Sequence, residues 1–446
     1  MKETQLQIPL PGVPKAKQGR EVPQRWEWTE ASVWTERMVA TLERGIKGGK
    51  WFSLVDKVWK MENLQSAAAK VRANGGAAGV DGLSCEAYLQ DSTRLQRLQE
   101  KLQQGSYEPH PVKRVWIPKL GSKELRPLGV PTVEDRIVQT ALRNVIEPIF
   151  ENLFAEHSYG FRPGRGAKDA LRRVDRLLKA GNVWVVDADL KGYFDTIPQE
   201  PLMRLVEAQI ADSRVLEFMG KMLKQGVMEN ARDWQPTEQG TPQGAVISPL
   251  LANLYLNPLD HLMAQQGREM VRYADDFVIL CESQAEAQEV LEQLRQWTAT
   301  AGLTLHPVKT RIVDASQRGG FDFLGYHFER GYRWPRDKSR TKFRDTIRQK
   351  TGRRDPRPLS QIIADVNGTM RGWFNYFQHS VANIFAREDQ WVRQRLRTLL
   401  RRRHKGAGRA RDRDHQRWPN AYFADLGLFS LAIAREKASH VRYRTH

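Results

Sequence analysis

The chain has 446 residues, is 40% hydrophobic and carries a formal charge of +19, enough length and apolar content for a large core and for two to four domains. No apolar run approaches the roughly 18 residues of a membrane span, and Pro11 and Pro14 break a polar N-terminus, which argues against a membrane anchor or secretory leader and for a cytoplasmic protein. Cys85 and Cys281 stand far apart without clustered partners, so neither a disulfide nor structural zinc is expected and each is expected to be a small buried hydrophobe.

Residues 1–50 read as a polar, Trp-bearing N-terminal extension, with Gly48-Gly49 as its boundary and the folded body beginning near Trp51. From there to about residue 104 the pattern is helical, broken by a glycine-rich loop from Asn74 to Gly82 that lacks the Gly-Lys-Ser/Thr ending of a Walker sequence. Val112 to Lys119 and Leu125 to Pro131, either side of Gly121, form a basic β-hairpin. Val183-Trp184-Val185-Val186 is an apolar strand that runs into Asp187 and Asp189. Further on, Met270-Val271-Arg272-Tyr273-Ala274-Asp275-Asp276-Phe277-Val278-Ile279-Leu280 sets two carboxylates between short β-prone runs, a hairpin with acids at its tip. Brought together, Asp189 and Asp275 would hold two metal ions, which stabilise the attacking and leaving oxygens of a phosphoryl displacement.

Beyond about residue 328 the pattern turns helical, with breaks at Gly352 and at Pro356 to Pro358. Leu359, Ile362, Ile363, Val366, Met370, Trp373, Phe374 and Phe377 fall at helical spacing and read as packing, not as a base-stacking platform. Residues 336–446 hold 27 Lys and Arg against 10 Asp and Glu, so +17 of the +19 belongs to this part. Arg401, Arg402, Arg403, Lys405 and Arg409, with aromatics interleaved nearby, suit a phosphate backbone. A basic Gly/Ala/Arg linker at 404–413 precedes a last segment of about 30 residues.

In this order the elements resemble the reverse transcriptases encoded by bacterial group II introns. Gly79-Val80-Asp81-Gly82 looks like the family's N-terminal motif, Ile117-Pro118-Lys119 through Arg126-Pro127-Leu128-Gly129 like its fingers hairpin, and Ser158-Tyr159-Gly160-Phe161-Arg162 like the block that follows. Asp187 to Asp195 is similar to the first catalytic motif of the palm, Gln239-Gly240-Thr241-Pro242-Gln243-Gly244 to the nucleotide-pocket motif, and Tyr273-Ala274-Asp275-Asp276 to the catalytic box. Phe323-Leu324-Gly325-Tyr326 looks like the primer grip.

The resemblance implies a multidomain α+β right-hand polymerase: an extension at 1–50, fingers and palm at 51–329, an α-helical thumb or maturase domain at 330–404 and a small basic DNA-binding domain at 405–446. It implies two Mg²⁺ ions on Asp189, Asp275, Asp276 and the backbone carbonyl of Leu190, since Mg²⁺ takes few protein oxygens. Asp187 and Asp195 are read as structural. Phe194 would lie under the sugar and exclude a 2′-hydroxyl, Lys119 and Arg126 would fold over the triphosphate, Gln243 would bond the nucleotide, and Lys309 would assist the leaving pyrophosphate. The implied partners are intron RNA, an RNA template with a DNA or RNA primer, target DNA and dNTPs, with no membrane. The chain reaches His446 without the His/Asn and paired-Cys pattern of the endonuclease domain of many relatives, as in the short, endonuclease-free type. The expected function is RNA-directed DNA polymerase and intron maturase. The rivals are a splicing factor without polymerase activity and a domesticated reverse transcriptase in phage defence or CRISPR adaptation.

Overall fold

The computed structural model describes residues 24–46, 48–118, 125–229, 233–352 and 354–443. In chain order its strands are β1 (Val112–Pro118), β2 (Leu125–Val130), β3 (Trp184–Asp189), β4 (Val227–Glu229), β5 (Asp233–Gln235), β6 (Glu269–Tyr273), β7 (Asp276–Cys281), β8 (Arg311–Asp314), β9 (Phe321–Phe323), β10 (Tyr326–Glu329) and β11 (Tyr332–Pro335). They form three sheets, ordered β2-β1-β4-β5, β6-β7-β3-β8 and β11-β10-β9. Helices cover the rest, so the expected α+β architecture with a helical C-terminal part is what the chain adopts.

The second sheet positions the chemistry: one face packs on the largest core and the other on the helix Ala167–Lys179 and on β9 and β10. Strand alternation sends Val186 and Ala188 of β3, with Phe277, Ile279 and Cys281 of β7, into the largest apolar core. Val185, Val278 and Leu280 point the other way, into a second core with Ala170, Val174 and Leu177 of the helix Ala167–Lys179. Asp187 and Asp189 continue the face of Val185, and Asp276 that of Val278. The acids are therefore the polar end of an otherwise apolar sheet face. Both cysteines are buried.

Two parts of the chain differ from the sequence-based expectation. Residues 24–46 join the largest core through Trp26, Val33, Trp34, Val39 and Leu42, and Trp34 Nε1 donates to Asn144 O at 2.9 Å. The helix Glu36–Arg44 buries only Val39 and Leu42, so its average stays polar while its inner face packs. The part of the extension before residue 24 lies outside the described residues. At the other end the apolar stripe of the helix Leu359–Phe377 is buried as expected, and Trp418, Phe423 and Leu431 sit in the same core as Ile362, Val366, Phe385 and Leu396. The buried Asp389 accepts from Leu431 N at 2.9 Å and Ala432 N at 3.1 Å, capping the helix Leu431–Tyr443 onto the helix Ala382–Arg403. The 404/405 boundary thus falls inside one packed unit, which composition alone did not reveal.

Candidate active site

β6 and β7 are joined by the two-residue turn Ala274-Asp275, closed by the pairing of Tyr273 with Asp276. Ala274 has φ +60, the positive value that hairpin turns of primed type need at their first central position. Asp275 therefore stands at the tip of the hairpin, while Asp276 is the first residue of β7 and faces Asp189 directly across the β3–β7 ladder. Such cross-strand neighbours lie within about 5.5 Å.

These carboxyls are crowded. Burial, followed by the charges of Asp187 and Asp275, pushes Asp276 up to about 7. Burial pushes Asp187 up to about 6, opposed by Arg311 and reinforced by Asp322 and Asp189. Asp275 is raised by burial, with the charge of Asp189 adding to it. Like charges held together in this way attract a cation. Lys309 Nζ already donates to Asp189 Oδ2 at 2.8 Å, and Arg311 Nε lies 3.5 Å from Asp187 Oδ2, so Asp187 has a partner of its own. After β3, His306 N bonds Asp189 O at 2.7 Å and Lys191 N bonds Thr304 O at 2.8 Å, and neither bond uses the Leu190 carbonyl.

Among the described residues no three His, Cys, Asp or Glu side chains converge into a self-sufficient metal cage. Mg²⁺ takes oxygen ligands, few of them from protein, and keeps several positions for water and substrate phosphates. The oxygen-only, mutually repelling donor set of Asp189, Asp275, Asp276 and the Leu190 carbonyl fits such an ion.

A cavity of about 730 Å³ is lined by Arg114, Pro127, Gly129, Asp195 and the loop from Gln235 to Gln243, and Asp189, Asp275 and Asp276 are not part of its lining. Its wall is fixed by backbone contacts: Thr241 N bonds Phe194 O at 2.7 Å, and Gly240 N bonds Ile197 O at 2.7 Å. Gly240 (φ +83) and Gly244 (φ +103) have no room for a Cβ, the first against Phe194 and Asp195, the second against Gly129 and Leu128. Gln243 Nε2 donates to Asp195 Oδ2 at 2.9 Å, which gives Asp195 the job of orienting Gln243. Phe194 is half-buried, its ring 5.7 Å from that of Tyr193. Tyr193 anchors this turn by donating to Ala252 O at 2.6 Å. Arg126 is exposed on β2 opposite Ile117, whereas Lys119 lies outside the described residues.

Of the expected primer grip, Phe323 and Tyr326 are buried and serve packing. The turn between them, Leu324 (φ +47) and Gly325 (φ +84), is half-buried, with Leu324 packed against the same core. Gly325 O accepts from Arg336 N at 3.0 Å and from Ser339 Oγ at 3.0 Å. Of the basic cluster, Arg402, Lys405 and Arg409 are exposed. Arg401 is engaged internally, with Ala407 O at 2.9 Å and Asp414 at 2.8 Å, and Arg403 bonds the carbonyls of Asp355 and Arg357.

Residues 117–328 match the reverse transcriptase (RNA-dependent DNA polymerase) family, and residues 340–418 match the group II intron maturase-specific domain. The chain is 35% identical to Protein YkfC of Escherichia coli (strain K12) over 320 residues, which cover 62% of this chain and 83% of that one. It is 40% identical to the group II intron-encoded protein LtrA of Lactococcus lactis subsp. cremoris over 192 residues, 41% of this chain and 31% of that one. An uncharacterized 91 kDa protein in the cob intron of Schizosaccharomyces pombe is 28% identical over 383 residues, 67% of this chain and 46% of that one. The chain thus spans less than half the length of either of these two intron proteins. With both domains matched in order and most of YkfC covered, the chain belongs to the group II intron reverse transcriptases, RNA-directed DNA polymerases joined to a maturase domain.

Proposed function

We propose that this protein copies RNA into DNA with a site built on Asp189, Asp275 and Asp276, and that the same chain binds an intron RNA, assists its splicing and serves its insertion into target DNA. The observation that carries the reading is the register of the palm sheet, which sets Asp189 opposite Asp276 and next to the hairpin tip of Asp275. Asp189, Asp275, Asp276 and the Leu190 carbonyl would hold two Mg²⁺ ions, which when bound lower the barrier to phosphoryl displacement by neutralising charge on the attacking and leaving oxygens. The bond formed joins the primer 3′ oxygen to the α-phosphorus of a dNTP, and the bond broken releases pyrophosphate.

The chain's own residues supply position and charge. Phe194 underlies the sugar and meets a 2′-hydroxyl with its ring. Gln243, oriented by Asp195, bonds the nucleotide. Arg126, together with Lys119, balances the triphosphate, and Lys309 moves from Asp189 toward the departing pyrophosphate. Leu324 and Gly325 hold the primer end, and Arg402, Lys405 and Arg409 meet nucleic-acid phosphates. No helix among the described residues is long and apolar enough to cross a membrane.

Extension of a DNA or RNA primer on an RNA template by purified protein, with Asp275→Asn as the control, tests the reading. Synthesis by the wild type and a loss of about 10³-fold or more in the variant is the expected result. Variant activity equal to wild type removes Asp275 from the chemistry. A wild type that splices but never extends returns the protein to the class of splicing factors without polymerase activity.

A further inference from the structure

Arg272 is among the largest side chains with no exposure to solvent, and it sits on the strand that leads into the acidic hairpin. Its guanidinium spends every face on the protein. Nε donates to Asp260 Oδ1 at 2.7 Å and Nη2 to Asp260 Oδ2, while Nη1 donates both to Asn253 Oδ1 at 2.9 Å and to Ala274 O at 2.9 Å. Asn253 in turn donates to Gly160 O at 2.7 Å, and Gly160 lies so close to the Tyr273–Ala274 backbone that a Cβ there would collide with it. Asp260 and Asn253 belong to one helix, Ser248–Gln265. The backbone of Arg272 itself is pinned by bonds to His157 O at 3.0 Å and from Tyr159 N at 2.8 Å.

All of these contacts converge on one peptide unit. Ala274 is held at φ +60, a region that costs a non-glycine residue energy and persists only where its surroundings over-determine it. Three things over-determine it: the Arg272 bond to its carbonyl, the Gly160 backbone against its amide, and the ladder closing at Tyr273 and Asp276. We infer that Arg272, clamped by Asp260 and Asn253, is a positioning residue that fixes the Ala274-Asp275 turn from below and so sets where the Asp275 carboxylate stands. An arginine suits this task and a lysine does not, since only the planar fork reaches a bidentate carboxylate, an amide oxygen and a backbone carbonyl together. The inference rests on the assignment of Asp275 to the polymerase site.

The test uses the full-length protein and three variants: Arg272→Lys, which keeps the charge but loses the fork, Asn253→Ala, which removes one arm, and Asp275→Asn as reference. Expected for Arg272→Lys is a fall of about 10²-fold in kcat, with the KM for dNTP and the affinity for primer–template near wild type and the half-saturating Mg²⁺ concentration raised several-fold. Titration with Mn²⁺ alone, read by electron paramagnetic resonance, should show the same weakening without turnover. Hydrogen exchange should quicken in the peptides covering 158–162 and 270–281 and nowhere else. Asn253→Ala should move each readout the same way by less. A wild type that does not extend primers defeats the polymerase reading itself. A wild type that extends, beside folded Arg272→Lys or Asn253→Ala with unchanged kcat, cation response and exchange, overturns the positioning role. If Arg272→Lys fails to fold, Asn253→Ala decides alone by the same measures.

Discussion

Asp276 carries a conflict between folding and chemistry. Its carboxyl, raised to about 7 by burial and by Asp187 and Asp275, would titrate near 3.9 in the unfolded chain. The folded state therefore binds the extra proton between those values, and stability falls as pH rises from about 4 to 7, then levels off. Asp276→Asn should melt a few degrees higher than wild type at pH 8, with the gap closing near pH 4, and should lose DNA synthesis at both. Parallel thermal melts across this range check it, and a variant less stable than wild type at pH 8 contradicts the crowding. Mg²⁺ should raise the melting temperature of the wild type more than that of the variant. Phe194, half-buried against Tyr193, has a simpler test. Phe194→Ala should raise ribonucleotide incorporation relative to deoxynucleotide by about tenfold or more while DNA synthesis largely persists. An unchanged sugar preference in single-nucleotide kinetics reduces Phe194 to packing.

At the scale of elements, the β9–β10 hairpin is bolted to the C-terminal helices. Tyr326 Oη donates to Tyr376 O at 2.7 Å, and Tyr376 Oη donates to Leu324 O at 2.8 Å. Tyr376→Phe deletes the second bond and keeps the ring. Products made after a single binding event, with a competitor trap present, should shorten several-fold while addition of the first nucleotide stays near wild type; wild-type lengths would uncouple this helix from the primer end. Such pairings mark what the sequence made legible and what it did not. The acid-tipped hairpin was readable because alternation, turn and carboxylates all lie within eleven residues, and the stripe from Leu359 to Phe377 because its period is local. Lys309 on Asp189 spans 120 positions and Asn253 on Gly160 spans 93, so no window holds both partners. Arg272 was invisible for a further reason: an arginine beside an acidic motif reads as surface charge, and only the fold shows that it is buried. Arg401 and Arg403 show the same limit, as composition does not reveal their bonds to the carbonyls of Ala407, Asp355 and Arg357, which Arg403 makes while still exposed.

For the whole molecule the uneven charge, +17 of +19 after residue 335, divides the labour. Assistance to splicing needs only that the protein stabilise a folded RNA, which phosphate contacts provide without the carboxylates. Polymerisation needs the carboxylates in place and tolerates a weaker grip. Asp276→Asn should therefore abolish DNA synthesis yet still promote splicing of the cognate intron. The complementary variant must spare Arg401 and Arg403, whose internal bonds hold the linker and the turn at 355–357, because their loss would confound unfolding with binding. Arg402, Lys405 and Arg409 are exposed, and their joint replacement by Ala should weaken RNA binding and splicing together. It should also flatten the slope of log K against log salt by up to three counterions. Splicing rates and RNA affinities measured side by side at near-physiological salt, after melts confirm folding, decide the matter. An Asp276 variant that binds intron RNA but cannot splice it, or a triple variant that splices at the wild-type rate with an unchanged salt slope, would mean that the palm acids and the C-terminal cations are not separate instruments.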